Sequence, residues 1–426
     1  MTDALATDLH QFIAERFGAS IGLPRQFFAA QADPLAEACL AMARRFHRGG
    51  RLLAMGRGAL ASDAQHVVVE FVHPVITGKR ALPAIVLDGN ASGSVGGLRS
   101  ELQAVAGPHD IVVGFIEGGD ADVESALAAA RERDLLTIAF TANTDHDAAA
   151  REQANYCFAA GSNDPLVNQE IYETAYHVLW ELVHVFFAHR ALLDDPPADA
   201  PVADEAGMAD QGWLYPFLAR ERPGGAAAPL GEVRQSIGLK CHEIVSLRQQ
   251  VLDTEADTLV QAGRTIADAF TAGRRLWIFG NGGSATDAAD LASDFRSPPL
   301  PRHRALPALA LSSDAATITA VANDVGFENI FARQLIAFAQ RDDVAIGIST
   351  SGNSRNLVAA FQTAHRMGLR SIALSGDDGG RVAQLARAGI IGHLFVVPSA
   401  HIPRIQEAQA TIYHTLYHLV HRLMEG

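Results

Sequence analysis

Residues 280–295 read GNGGSATDAADLASDF. Just before them, Arg275-Leu276-Trp277-Ile278-Phe279 has the apolar run of a short buried strand. Gly280, Gly282 and Gly283 then make a tight turn, and Ser284 to Phe295 has helical character. A glycine turn between strand and helix bares backbone N–H groups at a helix N-terminus, where an anion, most often phosphate, is held. Ser284 adds a hydroxyl, and Asp290 and Asp294, four apart, put two carboxylates on one helix face.

A second copy makes this signal strong. Residues 56–71 read GRGALASDAQHVVVEF and follow the strand Leu52-Leu53-Ala54-Met55. With a shift of 224, Gly56 falls on Gly280, Gly58 on Gly282, Asp63 on Asp287 and Phe71 on Phe295. ALPAIVL (81–87) falls on ALPALAL (305–311), and HDIVVGF (109–115) on DDVAIGI (342–348). Gln169-Glu170 and Tyr176-His177 fall on Gln406-Glu407 and Tyr413-His414. Register held over a whole half is an internal duplication. Each half reads helix, strand, helix, strand, helix, strand, helix: an α/β doubly wound, mostly parallel sheet. Residues 1–50 read as two helices, the second ending at Gly49-Gly50. The domains expected are 1–192 and 231–426. Residues 193–230, rich in Ala, Pro, Asp and Gly, read as a linker, in which GWLYPFL (212–218) is a short segment able to dock on a domain.

Composition bounds the function. At 426 residues the chain exceeds one typical core. A net charge of −14 argues against nucleic acid or an anionic membrane as the main partner, while leaving room for one local basic pocket. No run approaches the ~18 unbroken apolar residues of a membrane span, so no membrane partner is expected. Three separated cysteines, Cys39, Cys157 and Cys241, lack metal spacing and fit buried thiols in a reducing cytoplasm. A soluble, cytoplasmic protein is the expectation.

Gly347 to Ser354, GISTSGNS, follows an apolar strand and precedes a helix. Its hydroxyls and glycine sit where ligands bind in open α/β sheets, beyond the strands' carboxyl ends. With GNGGS it reads as a second wall around one phosphate. GNGGSATDAA, AVANDVGFENIFARQL (320–335), GISTSGNS, LSGDDGG (374–380) and RIQEAQATIYH (404–414) together resemble the sugar-isomerase (SIS) domain family, and within it the phosphoheptose isomerases. The likeness covers nearly all of 231–426, and the first half is similar to a diverged copy.

The resemblance implies two tandem flavodoxin-like SIS domains with flanking helices. It also implies a small-molecule sugar phosphate as substrate and ketose–aldose conversion of sedoheptulose 7-phosphate through an enediol. Two fused chains would rebuild the family's homotetramer as a homodimer of four SIS domains. By position, Gly282, Ser284, Ser349, Thr350, Ser351 and Ser354 fall on its phosphate binders, and Asn281 and Asp314 on residues near the sugar. Gln406 and His414 fall on a Gln and a His that bind zinc in metal-bound members, the His also being catalytic. The family's other pair, a His and then a Glu that acts as base, is Asp290 and Asp294 here. The family's Asp before the RIQ triplet is Pro403.

The first half shows the complementary pattern. His66, Glu70, Gln169 and His177 match the family's zinc and acid–base set one for one, and two imidazoles with a carboxylate suit Zn²⁺. Its phosphate loops are gone: GNGGS became Gly56 to Leu60, with Arg57 inside, and STSGNS became Ile116 to Ala121. Glu117, Asp120 and Asp122 repel a phosphate dianion, and Arg57 either offsets part of that repulsion or pairs with one of these acids. The expectation is a site composed from both halves, the second presenting the phosphate cradle and the first Glu70 and His177; otherwise the second half works alone with Asp294 and His414 and the first is scaffold. A non-catalytic sugar-phosphate-binding or protein-binding SIS regulator is the alternative.

Overall fold

The computed structural model describes residues 2–75, 79–89, 96–117, 119–142, 148–189, 192–193 and 227–425. GWLYPFL and Gly118 lie outside the described residues. The chain forms two compact units. Unit 1 comprises Met1–Gly22, Pro165–Glu170 and Glu243–Gly426, and unit 2 comprises Leu23–Asp164 and Ile171–His242.

The sheet of unit 2 is built from β1 (Leu52–Met55), β2 (Ala84–Leu87), β3 (Ile111–Ile116), β4 (Leu136–Thr141) and β5 (Tyr156–Ala159), in the order β2-β1-β3-β4-β5. Unit 1 repeats it with β6 (Leu276–Phe279), β7 (Ala308–Ala310), β8 (Val344–Ile348), β9 (Arg370–Gly376) and β10 (His393–Val397), in the order β7-β6-β8-β9-β10. Every pairing is parallel. The α/β reading and the repeat therefore hold, with two more strands per half than the three expected. The added β4 is buried along its whole length, as a strand covered on both faces must be.

Helices supply the outer layers. In unit 2, Leu98 and Leu102 of α3 (Gly97–Val105) and Val123, Ala126 and Leu127 of α4 (Ala121–Glu132) close over Leu53, Val112 and Ala139. In unit 1, Phe331 and Leu335 of α10 (Ile330–Phe338) and Phe361 of α11 (Arg355–Met367) close over Phe279, Ala345 and Ala373. The remaining elements used below are α1 (Thr2–His47), α2 (Leu60–Val72), α6 (Pro165–Phe187), α7 (Ala227–Thr271), α8 (Gly283–Arg296), α9 (Ala315–Val325) and α13 (Ile402–Glu425). Among the described residues no helix is long and apolar enough to cross a membrane.

The two helices expected in residues 1–50 are one, α1, which runs through Pro24 and Pro34. A proline removes its own N–H and crowds one turn, which a long packed helix absorbs by bending. The helix stops as read: Gly49 takes φ +82°, and the Gly50 N–H donates to the Arg45 carbonyl at 2.9 Å.

Duplication extends to the hydrogen bonds that start the strands. Asp110 accepts from the Arg51 N–H at 2.7 Å and the Gly107 N–H at 2.8 Å. Its equivalent, Asp343, accepts from the Arg275 N–H at 3.0 Å and the Gln340 N–H at 2.9 Å. Each carboxylate ties the start of one strand to the turn before its neighbour. Burial pushes the Asp110 carboxyl up, but the Arg51 guanidinium at 2.7 Å and the two backbone donors outweigh burial and hold it below the usual carboxylate range. A carboxylate with a depressed folded pKa stabilises the protein above its unfolded pKa, about 3.9, and that contribution is lost as pH falls through the lower folded value. Asp110→Asn should therefore destabilise the protein at pH 7 and flatten the loss of stability with acid, read from denaturant midpoints between pH 3 and 7.

Candidate functional site

The glycine turn of 280–283 is built by close backbone approach. A Cβ on Gly280 would lie 2.1 Å from the Ser284 carbonyl oxygen, and Gly282 takes φ +56°. The first copy keeps the same shape: a Cβ on Gly56 would lie 2.2 Å from the Leu60 carbonyl oxygen, and Gly58 takes φ +60°. The turn is thus a property of the fold, and the side chains decide what each copy can hold.

In unit 1 the turn follows β6 and the Ser349–Ser354 loop follows β8. These strands are hydrogen-bonded neighbours with Phe279 opposite Gly347, so both loops open at the same carboxyl edge. Reciprocal amide bonds between Asn281 and Asn356, at 3.0 and 2.8 Å, tie the first turn to the helix after the second loop. Ser349 Oγ accepts from the Gly352 N–H at 3.1 Å. A Cβ on Gly352 would meet the Gly379 carbonyl oxygen at 2.1 Å, so this loop too is held by close packing. Ser354 sits at the N-cap of α11 without using its side chain as a cap. Helix N-termini and hydroxyls at one sheet edge suit a phosphate.

In unit 2 the corresponding edge is closed by charge. Arg57, at the Asn281 position, donates Nη1 to Asp122 Oδ2, and its Nε lies 4.0 Å from Asp120 Oδ2. The other oxygen of Asp122 accepts from the Gly96 N–H at 3.0 Å, and Asp120 caps α4. The Arg57 guanidinium is thus paired with Asp122 and lies close to Asp120.

Among the described residues, two buried groups of His, Asp and Glu have donor atoms close enough to share a metal ion. In unit 1, Asp290 and Asp294 of α8 meet His414 of α13: His414 Nε2 lies 3.4 Å from Asp290 Oδ2 and 3.8 Å from Asp294 Oδ2. Tyr413 donates to Asp290 Oδ2 at 3.0 Å. Gln169 Nε2 donates to Asp290 Oδ1 at 2.9 Å, and Glu170 Oε1 lies 3.3 Å from His414 Nδ1. Burial opposes protonation of His414, but hydrogen bonds to Asp290 and Glu170 prevail and raise it to about 10. Burial likewise opposes ionisation of Glu170, yet its bond to His414 and the Arg248 charge lower it to about 2. At neutral pH His414 is an imidazolium between carboxylates.

In unit 2, His66 of α2 meets Glu173 and His177 of α6, with donor atoms all within 4.8 Å of one another. Glu70 Oε1 lies 3.7 Å from His66 Nε2. Two imidazoles and a carboxylate converging at this spacing fit Zn²⁺. Asp290, Asp294 and His414 form the second group with this spacing among the described residues. That set is richer in oxygen and already contains a cation.

Of the residues singled out from the sequence, the structure brings His66, Glu70 and His177 together, but Gln169 belongs to unit 1 and faces Asp290. Glu173 stands by the two histidines instead. Its position in the duplicated half is Ala410, so the repeat carried no trace of it; its i, i+4 spacing to His177 was the available signal. Ser284 and Gln406 are buried in unit 1, and Thr350 lies in the β8 loop. Asp314 is exposed and caps α9 by accepting from the Ala316 and Thr317 N–H groups. Pro403 lies in the first turn of α13, where a missing N–H costs no helix bond.

Residues 241–376 match the model of the SIS domain. Over 182 residues the chain is 40% identical to the phosphoheptose isomerase of Aquifex aeolicus, covering 43% of this chain and 93% of that protein. It is 39% identical over 193 residues to the phosphoheptose isomerase of Citrifermentans bemidjiense, covering 45% and 96%. Along nearly its whole length, 97%, it also shares the fold of the C-terminal domain of glucosamine-fructose-6-phosphate aminotransferase from Francisella tularensis, with a TM-score of 0.58, 96% of that chain covered and 10% identity. Two parallel five-stranded sheets, a repeated glycine turn and relatives matched almost end to end make this chain a member of the SIS-domain family.

Proposed function

We propose that the protein is a ketose–aldose isomerase of sugar phosphates, with sedoheptulose 7-phosphate the substrate of choice. One observation carries the reading: α8 bears the glycine turn and Ser284 at its start and, in the same unit, Asp290 and Asp294 beside His414. At 1.5 Å per residue, Asp290 and Asp294 stand roughly 9 and 15 Å along the helix from Ser284. A sugar held by its phosphate at the glycine turn extends its carbonyl end toward them.

The chemistry follows from the charges. The phosphate dianion is bound by backbone N–H groups and by Ser284, Ser349, Thr350, Ser351 and Ser354. Asp294 removes the proton from C1 of the ketose while the His414 imidazolium protonates O2, which gives the enediol. Return of a proton to C2 and loss of one from O1 complete the aldose. Asp is one methylene shorter than the Glu the family places here. Burial of Asp294 against His414 fixes the shorter carboxylate, and fixed geometry is what proton transfer requires.

His66, Glu173 and His177, with Glu70 adjacent, are the residues that would hold Zn²⁺. A bound zinc ion supplies Lewis acidity and a folding constraint. This cluster favours a second reading, in which Glu70 and His177 move the proton. The function is tested by proton NMR of sedoheptulose 7-phosphate with the purified protein, with and without chelator. New aldose resonances are the expected result. No turnover under either condition overturns the isomerase and leaves a sugar-phosphate-binding or protein-binding regulator.

A further inference from the structure

The proposed reaction leaves unexplained why a carboxylate from the first half of the sequence lies against the histidine of the second. Glu170 is wholly buried in unit 1. Its Oε1 is 3.3 Å from His414 Nδ1, and its Oε2 accepts from Thr411 Oγ1 at 2.7 Å. The Arg248 guanidinium, also wholly buried, lies 3.7 Å from Oε2. Arg248 is itself fixed: Nη1 donates to the Ser20 carbonyl at 2.7 Å and Nη2 to the Glu407 carbonyl at 3.2 Å. Glu170 is therefore an anchored anion with one oxygen turned to the imidazole.

The duplicate position shows that this arrangement is specific to the first-half residue. Glu407, the counterpart of Glu170, is bonded by Arg404 one turn earlier on its own helix at 2.6 Å. The counterpart of Arg404 is Val167, so Glu170 has no guanidinium at that place on α6.

We propose that Glu170 is the positioning residue of His414: it accepts the Nδ1 proton, fixes the ring plane and turns Nε2 toward Asp290, Asp294 and the sugar. A carboxylate behind a working histidine sets tautomer and orientation; for metal-bound histidines the loss of such a partner costs about tenfold to a hundredfold, and an effect of that order is expected here. This rests on the isomerase reading, with unit 1 as its centre. The second half is then not self-sufficient, because its histidine is aimed by a side chain encoded some 240 residues earlier.

The test uses the full-length protein. Glu170→Gln should lower kcat for sedoheptulose 7-phosphate by about tenfold to a hundredfold with KM within about twofold, and Glu170→Asp should recover part of the loss. An unchanged kcat in Glu170→Gln overturns the assignment, and so does a rise in KM that accounts for the whole loss. A readout independent of turnover is the long-range proton–nitrogen NMR spectrum of protein labelled with ¹⁵N-histidine, with the His414 signals identified by their absence in His414→Gln. The Nδ1 resonance should move in Glu170→Gln, and its failure to move overturns the proposal. If the wild-type protein converts no sugar phosphate, the isomerase reading fails, while the spectrum still decides the Glu170–His414 bond.

Discussion

Asp294→Asn is expected to lower kcat by about a hundredfold to ten-thousandfold, with a much smaller change in KM, because it removes the group proposed to take the carbon-bound proton. The amide keeps the size of the Asp294 side chain, whose Oδ2 lies 3.8 Å from His414 Nε2, and leaves the glycine turn at the start of α8 untouched. Substrate binding, read by phosphate-dependent thermal shift, should persist in the variant. The comparison is Glu70→Gln, which alters the cluster of His66, Glu173 and His177. If Asp294 is the base, Asp294→Asn falls further than Glu70→Gln. The reverse ranking assigns proton transfer to the first-half set and overturns the unit 1 mechanism.

A second large effect is expected in stability. Asp343 is buried and accepts three hydrogen bonds: from the Arg275 N–H at 3.0 Å, Trp277 Nε1 at 2.9 Å and the Gln340 N–H at 2.9 Å. Asp343→Ala strips all three donors of their acceptor in one step. Each buried polar group left unsatisfied costs about 1–3 kcal/mol, and these donors hold the entry of β6 and the turn before β8. Only the Trp277 bond is buried, the Arg275 and Gln340 N–H groups lying near solvent, so a loss of about 1–3 kcal/mol is expected, read as a lower denaturant midpoint of unit 1. A loss below about 1 kcal/mol would mean that water reaches the freed donors and that the carboxylate does not staple the strands. Strand ends matter here because the glycine turn and the Ser349–Ser354 loop leave directly from the opposite ends of β6 and β8.

Much of this architecture was legible in the sequence because it is written twice. A glycine turn after a strand has one structural solution, and Gly56 and Gly280 meet the same backbone obstruction four residues on. The repeat also exposed which side chains had changed, and Arg57 does pair with the acids of the second loop. What stayed hidden is long-range. Nothing local marks β4 as a strand apart from an apolar run that a helix shares. No periodicity shows α1 passing unbroken through two prolines. The placement of Gln169 and Glu170 in unit 1 depends on tertiary packing of α6. The sequence places both residues correctly on that helix and is silent about which unit receives them. Glu173 went unseen for the opposite reason: a residue present in one copy only leaves no mark in a comparison of copies.

The shared authorship of unit 1 has an evolutionary consequence. A fragment that begins at residue 231 lacks Met1–Gly22 and Pro165–Glu170, and with them Gln169, Glu170 and the Ser20 carbonyl that anchors Arg248. Gene fission between the two copies would give neither product a complete set of buried partners. Splitting the gene now requires several compensating changes at once, whereas staying fused requires none.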